Sequence, residues 1–517
     1  MDYLLHQKNI KVYKFLFLLG LIVFIFFLYF YKLDSIPNVV HGDEAETALQ
    51  AIEFLKNPVD NLIGIGWADL PLLSFVPRAI TMKLFAQNIA GDRIGSAIFG
   101  VITLPFFYLF LKSMFEEKVA LLATILLATS HLWIALSRLG ISYVQATFFL
   151  IACFYFLFHG LKTEKKLSFV LSGVFAGFGL YSYYAIRILP LLVAIPLVFY
   201  LVNKEGVKKR ILNVLLILLM SFLIYLPQIL FFINHPNTFL NRTETVYIFS
   251  KPAKEWTNYN ENDLGLFVEQ TRKTFDIFSG DNSAQYGYKG QLIDWVSIFF
   301  LIFGLFAVLR LKTKIKVFLF LWFIISLLGQ ILTSIPSPIF LPRFVIGLPL
   351  LYIFISLGIF KFSKLLNLFP FKKYVESILI FSSIAAIILF NLNACFFLSP
   401  KNSIADIGSR ISTEVSNYII NESKNSIVYF YTIPYLYPDY PTLRFLLPNI
   451  DKKNLMFAKD KNHIVISLID RTKPTMFVIY PEYSFILEKL AEEFPNGKTV
   501  SLINVNKQLE SYLFKIN

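Results

Sequence analysis

Long apolar runs recur along most of this chain. A helix that crosses the hydrocarbon core of a bilayer needs about 20 mostly apolar residues. Segments that approach this description lie at residues 12–31, 94–111, 118–135, 143–160, 167–183, 188–202, 211–233, 291–309, 315–332, 343–360 and 375–397. We therefore predict a mainly α polytopic membrane protein with about eleven transmembrane helices.

The composition supports this prediction and excludes other classes of protein. Hydrophobic residues make up 56% of the chain and charged residues 16%, against roughly 25% charged residues in soluble proteins. A soluble fold could not bury 56 Phe and 27 Tyr. Cys153 and Cys395 both lie inside apolar segments, so neither a structural disulfide nor a cysteine metal site is expected. The first apolar run is too long for a cleavable signal and is predicted to span.

The net charge of +14 is concentrated in short loops, unlike a nucleic-acid patch. Basic residues accumulate on the cytoplasmic side of membrane proteins. The loops that share this excess are the N-terminus and residues 112–118, 161–166, 203–210, 310–316 and 361–373. This distribution predicts a multi-pass plasma-membrane protein with a cytoplasmic N-terminus and an extracytoplasmic C-terminus.

Segment 70–86 is apolar but carries Pro77, Arg78 and Lys83. A charge near the centre of the bilayer costs several kcal/mol on most scales. If this segment spanned, the N-terminus would violate the positive-inside pattern of all later loops. We therefore expect an interfacial helix within an outer loop at 32–93, and a second large outer loop at 234–290.

The last part of the chain has the composition of a soluble protein. We predict two domains, a transmembrane catalytic domain at 1–397 and a small extracytoplasmic α/β domain at 398–517. The patterning predicts helices at 403–420 and 482–493 and strands at 426–432, 474–480, 498–504 and 510–516.

An acidic cluster follows the first apolar run. His41, Asp43, Glu44 and Glu46 lie within six residues, at the start of a predicted amphipathic helix. A carboxylate at this position can cap the helix, or it can act as a general base on an acceptor hydroxyl. We take Asp43 and Glu44 as the candidate catalytic residues. A divalent-cation site built from His41 with these carboxylates is an alternative that the sequence leaves open.

Single arginines occur on the outer side, where the positive-inside rule disfavours them. Arg138, Arg187 and Arg343 each lie at the end of an apolar run, and Arg78 and Arg93 lie in the first outer loop. They could snorkel or pair with loop carboxylates. Alternatively, they converge on a phosphate, which guanidinium groups bind in a bidentate fork.

A tyrosine cluster precedes Arg187. Tyr181, Tyr183 and Tyr184 could serve as interfacial anchors, as tyrosines often do in membrane proteins. The functional alternative is hydrogen bonding to a sugar or a phosphate, for which Tyr181 and Tyr184 are the candidates.

The order of these parts resembles the GT-C superfamily of membrane glycosyltransferases. It is most similar to the glycosyltransferase family 39 group, with the protein O-mannosyltransferases, and to the related aminoarabinose-lipid A transferases. The stretches that carry the resemblance are HGDEAETALQAIEFLKNP, the segment from WADLPLLSF to FFYLF, ALLATILLATSHLWIALSRLG, GLYSYYAIRILPLL, PRFVIGLPLLYI and TMFVIYPEYSFILEKLAEEFPNGKTV.

The resemblance implies inverting transfer of a sugar from a polyprenyl phosphate to an extracytoplasmic acceptor, which is a protein, a lipid or a glycan. It implies Asp43 as the base and Arg138, Arg187 and Arg343 as phosphate-holding residues. Many relatives carry an acidic residue shortly after the position of Arg138, where this chain has Gly140-Ile141-Ser142-Tyr143. A metal-assisted scheme with two carboxylates is therefore not carried over.

Two other functions are compatible with a polytopic membrane protein of this kind. A transporter or flippase of lipid-linked sugars predicts polar residues near the midplane of several helices, and the apolar runs carry few charges. A non-catalytic scaffold predicts that changing Asp43 and Arg187 together has no effect on any activity.

Overall fold

The fold is that of a helical membrane protein with a small C-terminal sheet. The computed structural model describes residues 16, 19–202, 206–257, 262–276, 291–333, 341–366, 372–398, 406–422, 426–454, 469–470, 472–504 and 507–516. All the candidate site residues lie in these ranges.

Seventeen helices precede the C-terminal part in the described residues. They are α1 (Leu19–Phe30), α2 (Gly42–Lys56), α3 (Val76–Leu84), α4 (Ile89–Lys112), α5 (Glu117–Ala128), α6 (His131–Ser137), α7 (Tyr143–Thr163), α8 (Lys166–Gly179), α9 (Leu189–Leu201), α10 (Val207–Asn234), α11 (Pro236–Val246), α12 (Lys251–Thr257), α13 (Asp263–Asp276), α14 (Trp295–Leu309), α15 (Thr313–Thr333), α16 (Leu348–Leu366) and α17 (Lys372–Asn393). Short 3-10 turns lie at Trp67–Asp69, Leu72–Phe75, Tyr184–Ile188 and Leu341–Phe344.

Seven of the described helices are long and apolar enough to cross a membrane. Counting α5 and α6 as one span gives an eighth. The chain is bent by 59° where these two helices meet. The bend lies at Ser130, between the two helices. Ser130 caps the start of α6, because its Oγ accepts a hydrogen bond from Trp133 N at 3.3 Å. Shorter apolar helices are α1, α8 and α14. Length and composition thus give seven to eight spans, and the total of eleven stays a prediction.

Segment 70–86 forms a 3-10 turn followed by α3. The helix has nine residues and therefore rises only about 14 Å, against the roughly 30 Å of the hydrocarbon core. By itself, α3 is therefore too short to cross the core. Its position at the membrane surface remains a prediction.

The segment at 234–290 contains more structure than the sequence indicated. We predicted a loop at 234–290, and its described residues form α11, α12 and α13. Their sequences are polar and aromatic, so they lack the apolar runs that identified the other helices. Residues 258–261 and 277–290 lie outside the described part.

The C-terminal part is an α/β unit with a five-stranded sheet. Its helices are α18 (Ile407–Glu422), α19 (Pro441–Leu446) and α20 (Ile486–Glu493). Its strands are β1 (Ile427–Tyr431), β2 (Lys452–Asn454), β3 (Thr475–Ile479), β4 (Lys498–Ile503) and β5 (Leu509–Ile516), in the order β2-β1-β3-β5-β4. The pairs of β1 with β2 and β3 are parallel, and those of β5 with β3 and β4 are antiparallel.

The predicted strands of this unit are confirmed, while α19 and β2 were missed. All five residues of both β1 and β3 are buried, because helices cover both faces of this part of the sheet. Such strands read as short continuous apolar runs. In contrast, β2 has three residues, Lys-Lys-Asn, and carries no such signal.

Candidate active site

Asp43 lies in the first turn of α2. The helix begins at Gly42, and His41 is the N-cap residue, whose Nδ1 accepts a hydrogen bond from Asp43 N at 3.1 Å. Because the His41 side chain caps the helix, the Asp43 carboxylate is not needed as a cap. The positive end of the helix dipole favours negative charge here. The Asp43 side chain is 40% exposed, so it can be reached by an acceptor.

Glu44 points in the opposite direction and is buried. Arg93 Nε lies 2.7 Å from Glu44 Oε1, and Arg93 Nη2 lies 2.9 Å from Oε2. Gly140 N donates a third bond to Oε1 at 2.8 Å. Arg93 also donates to the carbonyls of Leu33 and Pro37. The two residues thus form a bidentate ion pair that joins α2 to α4, away from Asp43.

A second buried ion pair lies beside the first. Arg78 Nη1 is 3.5 Å from Asp92 Oδ1 and also donates to Gly140 O. Burial lowers the pKa of Arg78 from its ordinary value, and the charges of Asp92 and Glu44 oppose that shift. A Cβ atom at Gly140 would lie 1.6 Å from Asp92 Oδ2, so this site requires glycine. We call Glu44, Arg78, Asp92 and Arg93 the buried quartet.

The guanidinium of Arg138 binds carbonyls at the end of α1, the first described helix. It donates to the carbonyls of Leu28, Tyr31, Lys32 and Ile36. The side chain is 1% exposed. Carbonyls at a helix C-terminus have no partner within the helix and attract a cation. The structure therefore places Arg138 at the end of α1 and does not bring it into a cavity with the other arginines.

Arg187 and Arg343, in contrast, line one cavity of about 210 Å³. A third arginine, Arg242, joins them from α11. The remaining lining residues are Tyr183, Tyr184, Ala185, Ile188, Thr243, Val246, Ser326, Gly329, Thr333 and Ile346. Three arginines thus line one cavity whose other walls are largely apolar, which is an arrangement suited to an anion attached to a lipid.

Arg187 is held in place by aromatic rings and by α11. Its guanidinium lies 4.4 Å from the ring centroid of Tyr184 and 5.0 Å from that of Phe239, within the range of cation–π attraction. Its Nη1 donates to Phe239 O and to Thr243 Oγ1. Tyr184 in turn donates to the carbonyls of the 3-10 turn at Trp67–Asp69. The cavity is therefore tied to the segment between α2 and α3.

Tyr183 connects the cavity with the acidic helix. Its side chain hydrogen-bonds to Arg343 and also feels the charges of Arg242 and Asp43. Burial raises the pKa of Tyr183, the two arginines oppose this shift and Asp43 adds to it. Burial also lowers the pKa of Arg343 from its ordinary value. Asp43 is not among the residues that line the cavity, but it acts electrostatically on a tyrosine that does.

The structure thus separates the predicted site residues into two groups. Arg187, Arg343 and Tyr184 line the cavity, close to the helix that carries Asp43. Glu44, Arg78, Arg93, Arg138 and Tyr181 instead make internal contacts; Tyr181, for instance, donates to Ile224 O at 3.0 Å. Arg242 was missed, since the sequence analysis treated segment 234–290 as a loop and did not weigh its single basic residues.

Among the described residues, the side chains around His41 do not converge as the alternative of a divalent-cation site requires. His41 and Asp43 are neighbours, with Nδ1 and Oδ2 3.9 Å apart. Glu44, however, turns inward to Arg93. Within the described ranges, no group of three or more His, Cys, Asp or Glu side chains has the arrangement of a metal site.

Comparison with known proteins gives one family match. Residues 69–231 match the family model described as dolichyl-phosphate-mannose-protein mannosyltransferase. This range runs from the turn before α3 into α10 and includes Arg78, Arg93, Arg138 and Arg187, while Asp43 lies before it. A search of curated proteins finds no match.

Solved structures share the fold over nearly the whole chain. The crystal structure of ArnT from Cupriavidus metallidurans bound to undecaprenyl phosphate aligns with a TM-score of 0.58 and 12% identity, covering 96% of this chain and 98% of that chain. The archaeal oligosaccharyltransferase AglB from Archaeoglobus fulgidus, in complex with an inhibitory peptide and a dolichol-phosphate, aligns with a TM-score of 0.51 and 12% identity, covering 84% of this chain and 64% of that chain. The family match thus covers part of the chain, and the two solved structures show that the chain shares their fold.

Proposed function

We propose that this protein transfers a sugar from a polyprenyl-phosphate donor to an acceptor hydroxyl outside the cytoplasm. The observation that carries the proposal is the cavity in which Arg187, Arg242 and Arg343 converge beside the helix of Asp43. A phosphate on a polyprenyl chain cannot leave the headgroup level of the bilayer. Cations in a largely apolar cavity of a membrane fold suit such a ligand.

The arginines supply the electrostatic part of the mechanism. A donor phosphodiester carries one negative charge, and the polyprenyl phosphate that leaves carries up to two. Fixed guanidinium groups therefore interact more strongly with the leaving group than with the donor, which lowers the barrier. Because a phosphate is a good leaving group once stabilised in this way, it needs no proton from a general acid.

Asp43 supplies the base. Its carboxylate accepts the proton of the acceptor hydroxyl while the oxygen forms a bond to the anomeric carbon. The bond from this carbon to the phosphate oxygen breaks with its electron pair leaving on the phosphate. Attack from the face opposite the phosphate inverts the anomeric configuration.

The buried quartet takes a supporting part in this mechanism. Glu44 and Arg93 bind each other and four backbone groups, which fixes α2 relative to α4. We assign them, together with Arg78, to the positioning of Asp43. Arg138 has a similar part at the end of α1.

The topology follows from the positive-inside distribution. The N-terminus is cytoplasmic, and the cavity and the C-terminal domain lie outside, in the plasma membrane. The boundary between the transmembrane and C-terminal domains lies near residue 398. The sugar and the acceptor are the quantities to be found by experiment.

The decisive experiment replaces Asp43 by Asn in the full-length protein. We expect transfer from a lipid-linked sugar to fall by about 10²-fold or more, because general base catalysis contributes about 10²–10⁴-fold. Binding of undecaprenyl phosphate should be unchanged, because the arginines remain. Product formation is measured in proteoliposomes with a panel of polyprenyl-phosphate sugars.

Asp60→Asn is the matched control, since Asp60 is an exposed carboxylate in the same outer segment. It should retain wild-type transfer. Undiminished transfer by Asp43→Asn would contradict the role of the base. Translocation of a labelled donor across the membrane without any glycosylated product would favour the transporter alternative.

A further inference from the structure

The C-terminal domain contacts the segment that starts α2. Thr413 Oγ1 accepts a hydrogen bond from Val40 N at 3.1 Å, and Ser409 Oγ accepts one from Gly42 N at 2.9 Å. Thr442 Oγ1 donates to Val40 O at 3.0 Å. These three hydroxyl residues are buried. The backbone immediately before Asp43 is thus bound by side chains that lie more than 360 residues later in the chain.

These bonds satisfy backbone groups at the helix start that have no partner within the helix. The first N–H groups of an α-helix have no intrahelical acceptor. In α2, His41 satisfies Asp43 N, and Ser409 of α18 satisfies Gly42 N. Ser409 and Thr413 are four residues apart and therefore share a face of α18. One face of a C-terminal helix consequently completes the cap of the helix that carries the proposed base.

His41 provides a second link between the two parts. Its Nε2 lies 3.2 Å from Asp406 Oδ2, while its Nδ1 accepts from Asp43 N. Asp406 is held by Ser409 Oγ at 2.6 Å and by Tyr440 OH at 2.6 Å. The two ring nitrogens therefore bind the C-terminal domain on one side and the backbone of Asp43 on the other.

Apolar packing closes the contact. Phe445 and Leu446 of α19 belong to the same hydrophobic cluster as Val40 and Ala45. A Cβ atom at Gly42 would lie 3.2 Å from Tyr440 OH, so the tyrosine lies directly against the helix start. A surface this close-packed holds one relative position of the two parts rather than a range of them.

We propose that the C-terminal domain holds the start of α2 and thereby sets the position of Asp43, with Ser409 and Asp406 as positioning residues for sugar transfer. This inference rests on the proposed function, in which Asp43 is the base. A catalytic group displaced by about 1 Å loses about 10²-fold in rate. An event that moves the C-terminal domain, such as the binding of an acceptor to it, would therefore act on Asp43 without touching the cavity.

The test is Ser409→Ala in the full-length protein, with Ser409→Thr as the rescue variant that keeps a hydroxyl. We expect amide exchange at the start of α2 to rise about 10-fold or more in Ser409→Ala, since a protecting contact is lost. The kcat for transfer should fall about 10-fold or more, in line with a displaced base. The affinity for undecaprenyl phosphate should not change, because the cavity arginines are untouched.

Asp451→Asn is the control variant, since Asp451 is an exposed carboxylate of the same domain. It should leave both readouts at wild-type values, and Ser409→Thr should restore both. The inference is overturned if amide exchange near Asp43 is unchanged in Ser409→Ala, or if exchange rises while kcat stays at the wild-type value. If the wild type transfers no sugar from any donor, the proposed function fails, while the exchange measurement still decides whether the domain holds α2.

Discussion

At the scale of single residues, the environment separates arginines that the sequence presents as equivalent. Arg78, Arg93 and Arg138 are almost completely buried, and each is bound to a carboxylate or to backbone carbonyls. Burial of a guanidinium is tolerated only with such partners. Arg187, Arg242 and Arg343 instead line a cavity. The same side chain thus serves the fold in one place and is available to a ligand in another.

Arg242 is the residue on which this distinction can be tested. We expect Arg242→Gln to raise the KM for the lipid-linked donor about 10-fold, because a charge-assisted hydrogen bond to phosphate contributes about 1.5–3 kcal/mol. The measurement is transfer rate against donor concentration. Arg272→Gln serves as the control, since Arg272 is exposed on α13 in the same outer segment. An unchanged KM in Arg242→Gln would remove this residue from the donor site.

At the scale of helices, the ends of elements carry most of the polar contacts. Arg138 binds four carbonyls at and beyond the end of α1, and Ser130 divides α5 from α6. Inside an apolar environment an unsatisfied backbone group costs several kcal/mol. The helix ends therefore require specific side chains from other elements.

Arg138→Gln should consequently weaken the fold and leave donor affinity alone. We expect a loss of about 3 kcal/mol of unfolding free energy, because buried carbonyls lose a charged donor. Thermal unfolding in detergent measures the loss, and the KM for donor is measured on the folded fraction. Arg310→Gln is the matched control at the exposed C-cap of α14. A higher KM with unchanged stability would instead place Arg138 at the donor phosphate.

At the scale of the whole molecule, contacts between distant parts of the chain assemble the site. The first outer loop, α11 and the turn before α16 all contribute to the cavity or its rim. The C-terminal domain contributes to the start of α2. The site is therefore expected to respond to conditions that act on the contact between these parts.

Acid is one such condition, because Asp406 lies in that contact. Burial raises the pKa of Asp406, but its bonds from Ser409 and Tyr440 outweigh burial, so the pKa lies below its ordinary value of 3.8. A carboxyl whose folded-state pKa is depressed stabilises the fold above the unfolded pKa, and this stabilisation is lost as the pH falls through the folded pKa.

We therefore expect the Tm difference between wild type and Asp406→Asn to shrink as the pH falls from about 5 to below about 4, because the depressed pKa lies in that acid range. Scanning calorimetry in nanodiscs across this range measures it. Asp451→Asn, the exposed control, should follow the wild type throughout. A difference that grows on acidification would contradict the assigned direction of the shift.

The sequence by itself determined the class of the protein and many of its elements. Apolar runs, loop charges and alternating strands are local patterns, and they predicted the membrane helices, the short helix in segment 70–86 and the strands of the C-terminal domain. They missed α11 to α13, α19 and β2, because these polar or very short elements owe their structure to neighbours rather than to local pattern.

The tertiary structure alone decided which charged residues meet. Nothing in the local sequence distinguishes Arg138 from Arg187, or reveals that Glu44 turns to Arg93 while Asp43 faces outward. These choices depend on contacts between residues that are 49 to more than 360 positions apart, and only the packed helices bring such residues together. Burial then determines their chemistry, because a charge removed from water needs an opposite charge or a hydrogen-bonding partner. Either the fold or a bound ligand provides that partner.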